Sequence, residues 1–248
     1  MKISVITVCY NSASTILDAL ESVSHQDYDD IEYLIIDGMS KDNTWGLVQS
    51  ALSKLPANTV CIQERDEGIY DAMNKGLARA TGDVIGFLNS DDVFADRTVL
   101  SRIAAVFTGA EVDMVYGDLV YTKESDLNKV TRIWNSGQMP TSGMKTGWHP
   151  AHPTMYVRRE ILQKEPFDID FRIAADYEMM VRLIEKHKIS SHYIPHTLVK
   201  MREGGASNQS LSNIYKANRE CLRAWSKNGL FANPFTIGMK LGRKILQY

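Results

Sequence analysis

Short continuous runs of apolar residues alternate along the first half of the chain with segments whose apolar residues recur at helical spacing. The runs cover residues 3–8, 33–36, 59–63 and 84–88 and are rich in β-branched side chains. Such runs are typical of strands buried on both faces of a parallel sheet. Because strand and helix alternate about every 25–30 residues, the pattern predicts a right-handed α/β layer.

The second half of the chain has a less regular pattern. Strands are predicted at residues 114–120, 154–157 and 193–201, and helices at residues 99–107, 176–185 and 214–225. Neither an internal repeat nor a clear linker divides the chain, so we do not predict independently folded domains.

Composition and charge narrow the class of protein. The 248 residues are 44% hydrophobic, which suffices for one large domain, and the net charge of −2 gives no sign of a nucleic-acid partner. No apolar run is long enough to span a bilayer, and the first residues lack the form of a secretory signal. The three cysteines, Cys9, Cys61 and Cys221, fit no zinc spacing and indicate buried free thiols in a reducing compartment. We therefore expect a cytoplasmic protein.

Polar residues directly follow four of the predicted strands. They are Tyr10 and Asn11, Asp37, Asp66 with Glu67, and Asp91 with Asp92. In sheets of this type, ligands bind beyond the carboxyl ends of the strands. The four clusters therefore predict a ligand site at one edge of the sheet.

The segment GFLNSDDV sets two adjacent carboxylates, Asp91 and Asp92, after a buried strand. Such a pair can bind Mg²⁺ or Mn²⁺ that takes its other ligands from water and a diphosphate. A capped turn is the structural alternative. We favour the metal because of the position at a strand end.

Asp37 can accept a hydrogen bond from the N–H of a base or from a ribose hydroxyl. A simple helix-entry turn explains its position equally well. The chain contains neither G-x-G-x-x-G nor a P-loop, so those nucleotide-binding motifs are not predicted.

The candidate residues in the second half are an aspartate and a group of tryptophan and histidine side chains. Asp176 begins a predicted helix, where it is either a general base or an acid stabilised by the helix dipole. Trp148, His149 and His152, together with Trp134, predict a carbohydrate-binding cleft, and a proline-stiffened surface loop is the alternative.

Six segments in this order resemble motifs of the family 2 glycosyltransferases with the A-type nucleotide-sugar fold. They are ITVCYN at 6–11, IIDGMSKDNT at 35–44, DEGIYDAMNKG at 66–76, TGD at 81–83 with LNSDD at 88–92, HPTMYVRR at 152–159, and ADY at 175–177. The resemblance implies a Rossmann-like, mostly parallel central sheet flanked by helices, with a C-terminal helical tail. It divides the chain into a glycosyltransferase domain, 1–207, and a tail, 208–248. Within the domain, residues 1–110 would bind the nucleotide sugar and 111–207 the acceptor.

The resemblance also implies roles for individual residues. Asp37 and Asp66 would hold the nucleobase, and Tyr10 and Asn11 would line the nucleotide pocket. Asp91 would hold the ribose or the metal shell, and Asp92 would hold Mn²⁺ or Mg²⁺. Arg202 and Ser207 would close on the diphosphate, and Asp176 would be the catalytic base. Two positions depart from the family pattern: Ser90 replaces an acid, and Ala175 replaces the usual glutamate before the base.

The reaction implied is an inverting transfer from a UDP-sugar to a hydroxyl of a glycan in surface-polysaccharide synthesis. The acceptor implied is linked to a polyprenyl diphosphate. A nucleotide-sugar or glycan binding module without catalysis and a nucleotidyltransferase are the competing hypotheses.

The tail predicts a short basic amphipathic helix. Ile237, Leu241 and Ile245 recur at helical spacing, with Lys240 and Arg243 towards the other side. Such a helix either binds the anionic inner face of a membrane or packs against protein.

Overall fold

A nine-stranded sheet forms the centre of the protein in the computed structural model, which describes residues 1–204, 211–232 and 235–245. The strands are β1 (Ile3–Cys9), β2 (Ile31–Asp37), β3 (Asn58–Gln63), β4 (Val84–Phe87), β5 (Val93–Phe94), β6 (Met114–Lys123), β7 (Asp126–Trp134), β8 (Tyr156–Arg158) and β9 (Ser191–Arg202). Strands β1 and β2 are buried along their whole length, as their continuous apolar runs predict.

The sheet order is β3-β2-β1-β4-β8-β6-β9-β5, with β7 paired to β6. Strands β1, β2, β3, β4, β6 and β9 run in one direction, whereas β5, β7 and β8 run in the other. The predicted α/β fold with a mostly parallel sheet is therefore confirmed. Because β1 to β4 are parallel neighbours, their carboxyl ends meet at one edge.

Helices cover both faces of the sheet. They are α1 (Ile16–Ser24), α2 (Thr44–Ala51), α3 (Ile69–Arg79), α4 (Val99–Gly109), α5 (Arg159–Lys164), α6 (Ala175–Met180), α7 (Leu211–Lys227) and α8 (Thr236–Ile245). Helices α1, α2 and α4 pack with Val5 of β1, while α3, α5, α6 and α7 pack with Ile6 on the opposite face.

The structure departs from the predicted elements mainly in the second half. The strands β5 and β7 and the helix α5 were not predicted from the apolar pattern. Most side chains of β7 are at least partly exposed, and its pairing with β6 contains register shifts, so no regular alternation marks it. The predicted helix at 176–185 begins as α6 and continues as a π-helix over Val181–Lys186.

The C-terminal helices pack on the domain. Cys221, Ala224 and Trp225 of α7 are buried in the same core as α6. In α8, Thr236 Oγ1 donates to the carbonyl of Lys145 at 2.8 Å. The packed arrangement that the tail sequence allowed is therefore present. No helix within the described ranges has the length and apolar character needed to cross a bilayer.

Candidate active site

Hydrogen bonds join the loops that follow β1 and β2. The backbone N–H of Asn11 donates to Ser40 Oγ at 2.9 Å, and Asn11 Oδ1 accepts from the backbone N–H of Lys41 at 2.8 Å. Asn11 has a φ of 51°, in the left-handed region that asparagine tolerates. The side chain of Tyr10 is 54% exposed. Asn11 thus fixes the loop, and the Tyr10 ring is accessible to a ligand at this edge.

Asp37 ends β2 with a fully buried carboxylate. Its Oδ1 accepts from Ser40 Oγ at 2.5 Å, and its Oδ2 accepts from the Ser40 N–H and from Gln63 Nε2, each at 2.9 Å. These hydrogen bonds hold the loop after β2 to the end of the strand. That Asp37 also holds the base stays a prediction.

Asp66 occupies the space that a side chain at residue 38 would fill. A Cβ added to Gly38 would collide with the Asp66 carboxylate and would lie 3.5 Å from the Tyr10 ring. Asp66 Oδ1 accepts from the backbone N–H of Gly68 at 2.9 Å. Gly38 therefore allows a partly exposed carboxylate to approach the end of β2 beside Tyr10.

The acidic pair after β4 contains an unpartnered oxygen. Asp92 is fully buried; its Oδ2 accepts from Asn89 Nδ2 at 2.9 Å, whereas its Oδ1 has no hydrogen-bond partner. Burial, and then the charge of Asp91, raise the pKa of Asp92 well above its usual value. Burial also raises the pKa of Asp91.

This pair fits a divalent cation, because a buried carboxylate oxygen without a partner is costly and a cation would satisfy it. Among the described residues, no group of three or more His, Cys, Asp or Glu side chains could hold a metal. Two protein carboxylates suffice where water and a diphosphate supply the other ligands.

Arg202 ends β9 and is only 6% exposed. Its guanidinium donates to the carbonyls of Asp91 at 2.6 Å and Glu124 at 3.1 Å, and it forms an ion pair with Asp18. These partners hold the guanidinium in the interior, where it supports the backbone of the acidic pair. That Arg202 closes on a diphosphate stays a prediction. Ser207, the other residue expected to close, lies outside the described residues.

A cavity of about 930 Å³ lies between β7, the segment 147–153, α6, α7 and α8. Trp148, His149, His152 and Asp176 all line it. Asn89 lines it too, and the same Asn89 donates to Asp92. Asn89 therefore links the cavity to the acidic pair through one hydrogen bond.

Asp176 is the second residue of α6. Its Oδ1 accepts from the Tyr70 hydroxyl at 3.3 Å and from the backbone N–H of Tyr177 at 2.8 Å. Burial, together with the Asp176 charge, raises the pKa of Tyr70, so this phenol stays a donor at neutral pH. No hydrogen bond to Asp176 Oδ2 is formed within the described part of the chain, which leaves that oxygen for a ligand.

The three rings expected in a carbohydrate cleft share this cavity. Trp148 is 5% exposed and donates its indole N–H to the carbonyl of Ser136 at 2.7 Å, so it forms a fixed wall. His149 makes an edge contact with Trp134, and His152 stacks on Phe87. A simple surface loop does not describe this arrangement, while contact with a carbohydrate stays a prediction.

Acid should destabilise the protein partly through His149. Burial, and then the charge of Lys240, lower the pKa of His149 to about 3. An unfolded histidine titrates near pH ~6.5, so the unfolded chain binds the proton first. The stability that neutral His149 allows is therefore fully present above pH ~6.5. It is lost progressively as the pH falls from there towards 3.

We expect His149 to account for about 2 kcal/mol of the stability lost between pH 7.5 and pH 5. Urea unfolding at both pH values measures it: wild type should lose that much more than His149→Asn. The exposed His25→Asn serves as the control. An equal loss in wild type and His149→Asn would contradict the assignment.

No sequence pattern marks the residue that holds the start of α6. The carboxylate of Glu220, on α7, accepts from the backbone N–H groups of Arg172, Ile173 and Ala174 at 3.1, 2.9 and 2.8 Å. These three groups lie just before the turn that carries Asp176. An acid on an exposed helix face is ordinary, so only the packing of α7 on this loop reveals its role.

A cavity with an available carboxylate, next to the carboxyl ends of parallel strands, is a typical ligand site of an α/β sheet. The sequence profile of glycosyl transferase family 2 matches residues 4–184. The chain therefore belongs to glycosyl transferase family 2, which confirms the resemblance seen in its motifs and makes it a glycosyltransferase.

Two relatives illustrate the likeness in sequence. A PGL/p-HBAD biosynthesis glycosyltransferase from Mycobacterium bovis is 27% identical over 208 residues, covering 83% of this chain and 78% of that protein. An uncharacterized glycosyltransferase from Nostoc sp. is 33% identical over 185 residues, covering 71% of this chain and 57% of that protein.

Solved structures share the fold. Residues 1–349 of S. aureus TarS superpose with a TM-score of 0.71 at 19% identity, covering 99% of this chain and 72% of that one. TarS has also been solved with UDP and with UDP-GlcNAc. The mannosyltransferase PcManGT from Pyrobaculum calidifontis, in complex with GDP-Man and Mn²⁺, superposes with a TM-score of 0.63 at 18% identity, covering 99% of this chain and 74% of that one.

Proposed function

We propose that the protein is a metal-dependent, inverting glycosyltransferase that moves a sugar from a UDP-sugar to a hydroxyl of a glycan acceptor. The observation that carries the proposal is the position of Asn89, which bonds to Asp92 and lines the cavity that contains Asp176. A donor at the sheet edge and an acceptor in the cavity would therefore meet at this residue.

The donor nucleotide would lie beside Tyr10 and Asp66, at the end of β2. The exposed ring and the carboxylate that Gly38 admits support a base at this place. Structures of TarS with UDP and UDP-GlcNAc support uridine as the base.

In the reaction, the acceptor oxygen forms a bond to the anomeric carbon while the bond from that carbon to the diphosphate oxygen breaks. Asp176 takes the proton of the acceptor hydroxyl. Attack from the face opposite the diphosphate inverts the anomeric centre. A divalent cation held by Asp91 and Asp92 would neutralise the charge on the leaving diphosphate.

We extend the proposal to the biological acceptor. The family resemblance supports a glycan linked to a polyprenyl diphosphate, in surface-polysaccharide synthesis at the cytoplasmic face of a membrane. Phe231 and Phe235, between α7 and α8, are 82% and 72% exposed. These aromatic side chains beside a basic helix support peripheral contact with a membrane surface.

Donor hydrolysis tests the proposal without knowledge of the acceptor. With Mn²⁺ present, wild type should slowly release UDP from one member of a panel of UDP-sugars, and chelation should stop the release. Release of pyrophosphate would instead favour a nucleotidyltransferase. Binding of donors without turnover, in the presence of glycan acceptors as well, would favour a binding module.

Gly38→Ala should weaken donor binding by displacing the Asp66 carboxylate. We expect KM for the UDP-sugar to rise about tenfold with little change in kcat, because base contacts are the same in the ground and transition states. Steady-state kinetics measures both constants. Gly109→Ala is the matched control, since a Cβ added there meets no atom within 4 Å. An unchanged KM would remove Asp66 from the donor site.

Glu220→Ala should misplace Asp176 by releasing three N–H groups before α6. We expect kcat to fall about 10- to 100-fold, with donor KM unchanged because the donor lies at the sheet edge. Glu220→Gln, which keeps an acceptor oxygen, should recover part of the rate. Equal rates for Glu220→Ala and wild type would show that α6 needs no such support.

A further inference from the structure

The loop that carries Asp66 is held by the helix that follows it in the chain. Residues 65–68 are called the donor loop below, because Asp66 lies beside the proposed base site. Asp71 of α3 accepts from the backbone N–H of Glu67 at 3.0 Å, and the backbone N–H of Gly68 donates to Asp66 Oδ1 at 2.9 Å. The donor loop is therefore fixed at the amino end of α3.

The segment before α6 is held from two other helices. Residues 172–174, called the pre-α6 loop, donate three backbone N–H groups to Glu220 of α7. From α3, the Tyr70 hydroxyl donates to the carbonyl of Ile173 at 2.8 Å and to Asp176 Oδ1 at 3.3 Å. The pre-α6 loop thus determines where α6 begins and where Asp176 lies.

One side chain joins these two loops directly. Arg172, in the pre-α6 loop, donates from Nη1 to the carbonyl of Glu67 in the donor loop at 2.9 Å. The backbone N–H of the same Arg172 donates to Glu220 at 3.1 Å, so the residue is held at its backbone as well as at its guanidinium. A guanidinium keeps its charge at all physiological pH values, and its hydrogen bond is charge-assisted.

Other contacts between the two halves end on α3 rather than on the donor loop. Asn74 exchanges two hydrogen bonds with the backbone of Phe167, at 2.8 and 2.9 Å, and the rings of Tyr70 and Phe167 lie 5.5 Å apart. These contacts dock the second half of the chain on α3. The bond from Arg172 reaches past α3 to the loop that carries Asp66.

We propose that Arg172 is a positioning residue that holds Asp66 and Asp176 at a fixed separation by joining the donor loop to the pre-α6 loop. This role rests on the proposed function, in which Asp66 contacts the nucleotide and Asp176 takes the proton of the acceptor. Donor and acceptor must be held in line at the same time, and a misplacement of about 1 Å can cost about 10²-fold in rate.

Steady-state kinetics of sugar transfer tests the role of Arg172. Arg172→Ala should raise donor KM about threefold and lower kcat about tenfold, because each loop loses a support. Gly38→Ala, in contrast, is expected to change KM alone, and Glu220→Ala kcat alone. Arg172→Lys, which keeps a charged N–H donor, should recover part of both constants.

Arg102→Ala is the matched control for these kinetics. Arg102 is an exposed arginine of α4 whose Nε–H donates to Thr98 at the start of its own helix, at 2.9 Å. It should leave both constants at wild-type values. A wild-type value of either KM or kcat in Arg172→Ala would overturn the proposed role.

Hydrogen exchange of the ligand-free protein tests the same bond without donor, metal or turnover. In Arg172→Ala, the amides of Glu67 and Gly68 and those of residues 172–174 should exchange about tenfold faster than in wild type. The amides of the buried strand β1 should be unchanged, because the effect is local. Wild-type exchange in either loop would overturn the proposal.

Failure of the proposed function would appear separately. A wild-type protein that releases no UDP from any donor would contradict the proposed function but not the link between the two loops, which hydrogen exchange decides alone.

Discussion

Asp92→Asn should lower kcat/KM for sugar transfer about 10³-fold, because it removes the carboxylate best placed to hold a divalent cation. The structural reason is the fully buried Oδ1 that has no hydrogen-bond partner. We expect Mn²⁺ to raise the melting temperature of wild type but not of the variant, since a ligand stabilises only the state that binds it. Steady-state kinetics and thermal unfolding with and without Mn²⁺ measure the two effects.

Asp29→Asn is the matched control, because Asp29 is an exposed acid far along the chain from the acidic pair. It should keep wild-type rates and the full Mn²⁺ shift. If Asp92→Asn keeps both the rate and the shift, the acidic pair is not the metal site.

Asp176→Asn should lower kcat for transfer about 10²- to 10⁴-fold, because the amide cannot take the proton of the acceptor hydroxyl. The variant keeps an oxygen that can accept from Tyr70 and from the Tyr177 N–H, so the fold should be unchanged. Donor KM and the Mn²⁺ shift should also stay at wild-type values, since Asp176 lies in the cavity and not at the sheet edge. Transfer kinetics and circular dichroism measure these quantities.

Tyr70→Phe tests how much the hydrogen bond from Tyr70 to the proposed base, Asp176, contributes to the rate. It removes the 3.3 Å bond to Asp176 while leaving the carboxylate. We expect a rate loss well below that of Asp176→Asn. An Asp176→Asn rate within a few-fold of wild type would require another base in the cavity.

The first half of the fold could be predicted because its signals are local. Continuous apolar runs mark β1 and β2, and parallel order brings their polar ends to one edge. Asp92 was predicted at this edge because it closely follows the apolar run of β4. The second half gave weaker signals, because β7 is largely exposed and irregular in register, and its apolar residues face the cavity rather than the core.

Roles that depend on packing were not predictable from the sequence. The residue type of Asp37 is visible in the sequence, but the hydrogen bonds that Ser40 and Gln63 donate to its carboxylate are not. The charge of Arg202 is visible too, but its burial beside the acidic pair is not. Glu220 was missed because contacts between a helix and a distant loop define its position.

A crystal grown with UDP and Mn²⁺ tests the central claim most directly. The account predicts an anomalous manganese peak beside Asp92 Oδ1, with the uracil near Tyr10 and Asp66 and the diphosphate bridging to the metal. A manganese ion bound elsewhere, with Asp92 still unpartnered and UDP away from this edge, would contradict it.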